Sequence, residues 1–167
     1  TLTEFKEVRF AEPSFFFDLS AKENLDYFAS QVGAKKERAA ELLHQFGLEG
    51  YAKMPAKNLS GGYRQLLNIA IALLQEPELI FLDEPSVGLD PVTRSRLWDR
   101  IFDIQDSGIS VCISTHYMEE AYALCGRVCL INEGKVVALG QPEKLVREFA
   151  KAQLSTITLK EEPKDGI

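Results

Sequence analysis

Two short runs rich in apolar residues, 79–82 and 109–113, each lie between longer segments with helical periodicity. Runs of this length favour strands buried inside a sheet, because a buried helix is usually longer. A helix that follows a strand returns the chain to the same end of the sheet, so the next strand runs parallel to the first. The sequence therefore predicts an α/β domain with a mostly parallel sheet.

The predicted helices begin at recognisable capping residues. Ser20 with Glu23 forms a capping-box pattern, Ser60 precedes a long apolar segment, and Pro91 suits the first turn of a helix. The predicted helices cover residues 21–31, 35–46, 61–75, 91–106, 117–125 and 142–150. Predicted strands cover 3–10, 79–82, 109–113, 127–131 and 136–139, with a hairpin turn at NEGK, and residues 11–18 form a loop with an aromatic cluster.

The composition excludes several classes of function. A net charge of −6 and a pI near 5.0 disfavour nonspecific binding to nucleic acid or to anionic membranes. Three cysteines without a CxxC pair argue against a disulfide framework or a zinc site, and we expect Cys112, Cys125 and Cys129 to be reduced and buried. No apolar stretch approaches the roughly 20 residues that span a bilayer, and the first ten residues lack a signal-peptide pattern.

Polar residues follow both predicted strands where ligands collect in parallel sheets. LIFLDEP ends in Asp83, a candidate oxygen ligand for Mg²⁺, and Glu84, a candidate base for an attacking water. His116 ends the next run and could contact a phosphate. An ordinary polar turn is the alternative for the carboxylates, and a structural role is the alternative for His116. His44 lies in a helix without a partner motif and is interpreted as structural.

Two predicted helix starts carry further candidates. At Ser60 the hydroxyl and the amides of Gly61 and Gly62 can together bind an anion, whereas an ordinary glycine-containing turn is the alternative. Asp90 precedes Pro91, and N-capping alone accounts for it.

Taken in order, LSGGYRQ (59–65), LIFLDEP (79–85), SVGLDP (86–91) and STH (114–116) resemble the signature, Walker B, D-loop and switch-histidine motifs of the ATP-binding cassette (ABC) ATPases. The resemblance covers about 11–145, and STHYMEEA is most similar to ATPases of ABC-2 exporters. It implies a P-loop NTPase-like ABC ATPase domain, truncated, with a helical subdomain.

The resemblance also implies roles for these residues with ATP and Mg²⁺ as cofactors. Asp83 would serve Mg²⁺, Glu84 would be the general base, and His116 would contact the γ-phosphate. Ser60, Gly61, Gly62, Gln65 and Asp90 would bind nucleotide across a head-to-tail dimer with a second ATPase subunit. Membrane-spanning transporter subunits would be the other partners, which would place the chain in the cytoplasm, on the inner face of the membrane.

The chain departs from the family pattern in two places. It contains no GxxxxGK[ST] sequence, the loop that cradles the β- and γ-phosphates, and Ala11 stands at the position of the Q-loop glutamine. We therefore expect this chain alone to bind ATP weakly or not at all. Strands missing from the sheet should leave apolar surface uncovered and promote self-association.

These observations predict four segments and leave more than one function open. The segments are an N-terminal strand with a Q-loop-like stretch (1–19), a helical subdomain (20–57), a signature and Walker B core (58–150) and a tail (151–167). The favoured function is the ATP-binding subunit, or a fragment of it, of an exporter. A catalytically incomplete module that lends its signature motif to a partner's ATP is the alternative. A soluble ABC ATPase of translation or repair fits less well, given the single signature motif.

Overall fold

The computed structural model describes residues 8–10 and 15–153. The described part divides into two compact units, the first ending at Glu120 and the second starting at Ala121. Ala11 and the tail after residue 153 lie outside the described residues. The predicted division of the chain into four segments, including a helical subdomain at 20–57, stays a prediction.

The first unit contains a parallel sheet of three strands. β1 (Val8–Phe10), β2 (Leu79–Asp83) and β3 (Ser110–Ser114) lie in that order, with β2 in the centre. Only three residues of the predicted strand 3–10 are described as β1. The α/β fold with a parallel sheet is confirmed. Because β2 and β3 are parallel and in register, their carboxyl ends meet, and Asp83 pairs with Ser114.

Four α-helices of the first unit follow the predicted pattern, and three of them, α1, α3 and α4, begin at residues whose side chains cap the helix. The capping box is present: Ser20 Oγ accepts from the amide of Glu23, and a carboxylate oxygen of Glu23 accepts from the amide of Ser20 at 2.8 Å. The segment 61–75 is α-helical only to Ala72 and continues as a 3₁₀ turn. The helices are α1 (Ala21–Val32), α2 (Lys36–Gln45), α3 (Gly61–Ala72) and α4 (Pro91–Asp106).

The core of the first unit forms where these helices pack and where they cover the sheet. Leu67 and Ile69 of α3, Ile80 of β2, and Leu97 and Ile101 of α4 are fully buried. Burial of a large aliphatic side chain contributes about 1.5–3 kcal/mol, so this shared apolar face holds α3 and α4 in place. The polar residues at the ends of β2 and β3 are thus carried by a packed scaffold.

The second unit contains a hairpin and the last helix. α5 (Met118–Leu124) crosses the boundary between the units, followed by β4 (Val128–Asn132), β5 (Lys135–Gly140) and α6 (Pro142–Gln153). The predicted hairpin turn is confirmed: Asn132 pairs with Lys135, and Glu133 and Gly134 between them have φ of 47° and 72°, the two positive values that a type I′ turn requires. Its small core is built on Ala121, Val128 and Leu145.

The prediction of buried cysteines is wrong. Cys112 and Cys129 are exposed and Cys125 is half-buried. Cys112 lies on β3, where more and less exposed positions alternate because successive side chains of a strand point to opposite faces of the sheet. None of the described helices is long and apolar enough to cross a bilayer.

Candidate functional site

The carboxylate of Asp83 lies at the carboxyl end of the central strand, and Ser114 holds it from the neighbouring strand. The Ser114 hydroxyl donates a hydrogen bond to Oδ1 of Asp83, a contact that follows from the register of β2 with β3. Asp83 is exposed. One oxygen of an accessible carboxylate is thereby oriented by a protein donor, as metal-binding carboxylates commonly are.

The backbone of Glu84 adopts a conformation that non-glycine residues rarely adopt. Its φ is 44°, in the left-handed region, which is sterically unfavourable for a residue with a Cβ. The end of β3 holds it there, because the Glu84 amide donates to the carbonyl of Ser114 at 3.0 Å and to its hydroxyl at 3.3 Å. Strain held by neighbouring strands is frequent at functional sites.

The side chain of His116 contacts the Glu84 carboxylate. Nδ1 of His116 lies 3.0 Å from Oε1 and 2.9 Å from Oε2 of Glu84, and in this geometry the ring nitrogen donates to the carboxylate. Both side chains are partly exposed, so solvent reaches the pair. The structure thus brings together the three residues predicted at the strand ends: Asp83, Glu84 and His116.

The start of α3 carries the second group of predicted residues. Ser60 is the N-cap, and its hydroxyl accepts from the amide of Tyr63 at 3.4 Å. Gly61 is exposed, and a Cβ built on it would meet nothing within 4 Å. Gly62 is buried instead, and a Cβ there would lie 1.9 Å from Cγ2 of Thr93. The two glycines therefore serve different purposes: Gly61 leaves the helix start open, and Gly62 allows close packing.

Asp90 caps α4, as its sequence position predicts. Its carboxylate accepts from the amides of Val92 at 3.0 Å and Thr93 at 3.1 Å, and also from the Thr93 hydroxyl. These hydrogen bonds, led by the one from the Thr93 hydroxyl, hold the pKa of the Asp90 carboxyl below its usual value. Gln65 is half-buried one turn into α3.

Sequence reasoning missed two residues that the structure places among the candidates. Ser114 contacts both Asp83 and Glu84, and its signal was present in the STH motif at the end of a predicted strand. Thr93 links Asp90 to Gly62. Nothing in its sequence position distinguishes Thr93 from other residues of an amphipathic helix.

The residues at the strand ends fit a magnesium ion only in part. Among the described residues, no group of three or more His, Cys, Asp or Glu side chains is arranged to hold a metal by itself. Mg²⁺ commonly uses one or two carboxylates and completes its shell with substrate phosphates and water. Asp83, oriented and accessible, fits that requirement once a phosphate is present.

Comparisons with known proteins place this arrangement in a family context. The profile of the family described as "ABC transporter" matches residues 5–87. The Nod factor export ATP-binding protein I of Cupriavidus metallidurans is 38% identical over 133 residues, covering 77% of this chain and 44% of that protein. The linearmycin resistance ATP-binding protein LnrL of Bacillus subtilis is 37% identical over 145 residues, covering 84% and 47%.

A solved structure supports the fold over most of the chain. The cbiO1 protein of Clostridium perfringens, described as part of the ABC transporter complex cbiONQ, aligns with a TM-score of 0.74 and 27% identity. The alignment covers 90% of this chain and 63% of that one. The chain spans about half the length of the curated relatives it matches.

Proposed function

Because this chain belongs to the ABC transporter ATP-binding family, we propose that it forms the signature and Walker B part of an ATPase subunit that drives export. Two relatives named for export or resistance support the exporter assignment. The proposed cofactors are ATP and Mg²⁺, and the proposed location is the cytoplasmic face of the membrane. The net charge of −6 gives no support for nucleic acid as a partner.

The contact between Glu84 and His116 is the observation that carries the proposal. The imidazole nitrogen 2.9 Å away orients the Glu84 carboxylate, and the partial exposure of this side chain leaves it accessible to a water whose proton it would accept. In the proposed reaction, Glu84 is the general base for water that attacks the γ-phosphate. His116 orients Glu84 and contacts the γ-phosphate.

Asp83 is the proposed residue for Mg²⁺, with Ser114 orienting its carboxylate. The ion, when bound with ATP, neutralises phosphate charge. The protein's contribution at this point is one accessible oxygen at a fixed position on the central strand.

The start of α3 is the proposed contact for a second subunit's nucleotide. Ser60 and Gly61 are exposed, and free amides at a helix start attract an anion by about 0.3–1 kcal/mol. Gln65 and Asp90 would lie at the same interface of a head-to-tail dimer. ATP held between the two subunits would keep the dimer closed, and hydrolysis would release it.

An exposed aromatic cluster at the start of the described region is the proposed contact for a membrane-spanning subunit. Phe16, Phe17 and Tyr27 are 47%, 54% and 41% exposed, and the rings of Phe16 and Tyr27 pack edge to face at 4.9 Å. Asn24 holds the loop, because its side chain bonds both the amide and the carbonyl of Phe16, at 2.7 and 2.9 Å. Fixed, exposed aromatic side chains are typical of binding surfaces.

The proposal is tested with the full-length gene product and with the 167-residue chain side by side. We expect the full-length product to hydrolyse Mg-ATP, and we expect calorimetry to detect little or no Mg-ATP binding by the 167-residue chain, which lacks GxxxxGK[ST]. Micromolar binding by the 167-residue chain would contradict the second expectation. A full-length product that never hydrolyses ATP, but activates a P-loop-bearing partner, would instead indicate a module that supplies its signature motif in trans.

A further inference from the structure

The starts of α3 and α4 approach each other closely at a glycine and a threonine. A Cβ built on Gly62 would lie 1.9 Å from Cγ2 and 3.3 Å from Cβ of Thr93, and 3.6 Å from Cδ2 of Leu89. Real Cβ atoms essentially never approach another atom to 1.9 Å. Gly62 and Thr93 therefore form a size-matched pair, in which the methyl group of one residue occupies the space left by the other.

Thr93 cannot easily turn away from that contact. A β-branched side chain in a helix has few allowed rotamers. The Thr93 hydroxyl also donates to Oδ2 of Asp90, and the Thr93 amide donates to Oδ1 of the same carboxylate at 3.1 Å. Rotation of the side chain that moved Cγ2 would break the hydroxyl contact with Asp90. The methyl group is thus held in the direction of Gly62.

We propose that the Gly62–Thr93 pair positions the anion-facing start of α3 relative to Asp90 at the start of α4. Ser60 and Gly61 open the first helix, and Asp90 caps the second, so one contact joins two helix starts that both belong to the proposed dimer interface. Thr93 is a positioning residue, because its hydroxyl donates a hydrogen bond to Asp90 and its methyl group packs against α3 at Gly62. The nucleotide part of this inference rests on the proposed function, whereas the packing part does not.

The packing part is tested by thermal unfolding of the 167-residue chain. Alanine is a better helix former than glycine, so Gly62→Ala would stabilise α3 if the contact with Thr93 were absent. The size-matched pair predicts the opposite, a midpoint lowered by about 3 °C or more. Thr93→Ser removes Cγ2 and keeps the hydroxyl, so the double variant Gly62→Ala with Thr93→Ser should unfold at the same midpoint as Thr93→Ser alone. Thr93→Val keeps a methyl group in the place of Cγ2, so it should not rescue Gly62→Ala.

The positioning role is tested in the full-length gene product by ATP-dependent dimerisation, followed by analytical ultracentrifugation. We expect Gly62→Ala to weaken the ATP-bound dimer about tenfold, the factor that corresponds to a typical overpacking effect. The double variant Gly62→Ala with Thr93→Ser should dimerise within about twofold of Thr93→Ser alone.

Each result bears on one part of the inference. A raised or unchanged midpoint for Gly62→Ala, or no rescue by Thr93→Ser, overturns the size-matched pair. If Thr93→Ser rescues the unfolding midpoint of Gly62→Ala but Gly62→Ala leaves the ATP-bound dimer as stable as the wild type, the positioning role is overturned. A wild-type product that binds ATP without dimerising counts against the proposed function and against the positioning role. The unfolding midpoints of the single and double variants would still show whether Gly62 and Thr93 form a size-matched pair.

Discussion

Nδ1 of His116 lies 2.9 Å from Oε2 of Glu84, although 32 residues separate the two along the chain. The contact depends on the parallel register of β2 with β3, which brings the carboxyl ends of both strands to one edge. The side chains are 62% and 38% exposed, so solvent and salt screen their attraction. The pair therefore orients the Glu84 carboxylate more than it stabilises the fold.

Glu84→Gln in the full-length gene product tests the role of the carboxylate. Glutamine keeps the size of the side chain and cannot accept a proton from water at neutral pH, so we expect turnover of Mg-ATP to fall by about 10²–10⁴ while nucleotide binding persists. Steady-state turnover and equilibrium ATP binding measure the two effects. Glu49→Gln is the matched control, because Glu49 also contacts a histidine, His44, at 2.7 Å. Unchanged turnover in Glu84→Gln removes Glu84 from the role of base.

Ser114→Ala tests whether the serine hydroxyl orients Asp83. Removal of a donor that orients a metal-binding carboxylate typically weakens metal affinity, and we expect the Mg²⁺ concentration for half-maximal ATPase activity to rise about tenfold. Turnover at saturating Mg²⁺ should change less. Ser110→Ala, at the opposite end of the same strand, is the control. A Mg²⁺ dependence identical to the wild type would show that the Ser114 hydroxyl is dispensable for orienting Asp83.

Trp98→Phe tests a partly buried hydrogen bond between α4 and α5. Nε1 of Trp98 donates to Oε1 of Glu120 at 3.2 Å, and Glu120 is fully buried, with no hydrogen-bond partner for its Oε2 among the described residues. Loss of this donor should lower the free energy of unfolding by about 2 kcal/mol, measured in urea. The double variant Trp98→Phe with Glu120→Met should recover part of the lost free energy of unfolding, because it no longer contains the buried carboxylate. If the losses of the two single variants simply add in the double variant, Trp98 and Glu120 are not energetically coupled.

Acid should destabilise the first unit through its capping carboxylates. The pKa of Asp90 is lowered chiefly by the Thr93 hydroxyl, and that of Glu23 chiefly by the Ser20 amide. A carboxyl with a lower pKa in the folded state stabilises the fold above its unfolded pKa and loses that effect as pH falls. The usual pKa values are 3.8 for Asp90 and 4.5 for Glu23, so the loss of stability should begin near pH 4.5 and continue below it.

The variant Asp90→Asn tests the contribution of the Asp90 cap to this acid effect. The asparagine side chain would still cap α4 but would not titrate, so the fall in unfolding midpoint below pH 3.8, the usual pKa of an aspartate, should become shallower than in the wild type. Asp99→Asn, at an exposed position on the same helix, should leave the profile as it is. Equal slopes for the wild type and Asp90→Asn would show that the Asp90 cap does not contribute.

The hairpin of the second unit should drive self-association of the 167-residue chain. Ile131 and Val136 pair across β4 and β5 and are 68% and 64% exposed, and Val137 and Leu139 are exposed beside them. Exposed apolar strands favour pairing between copies. Light scattering should detect dimers or larger species, and Ile131→Lys with Val136→Glu should reduce them while the opposite charges preserve the strand pair. A monodisperse wild-type monomer would contradict the prediction.

Helix starts and the hairpin turn were predictable because their causes are local. The capping box of Ser20 and Glu23 and the N-cap of Asp90 each involve residues within three positions, and the glycine of NEGK readily adopts the positive φ that the turn needs. The strand 79–83 was predictable from its continuous apolar run. The exposure of Cys112 was not, since it depends on which face of β3 other elements of the fold cover.

Local sequence patterns predict which residues end strands and begin helices, and so which side chains are candidates for chemistry. The tertiary structure decided which of them meet: His116 with Glu84, Ser114 with Asp83, and Thr93 with Gly62. Capping and periodicity act within one or two turns of chain, whereas these contacts join residues about 31 positions apart through strand register and helix packing. Gly62 shows the difference most clearly, because its missing side chain is required by a neighbour that no local pattern identifies.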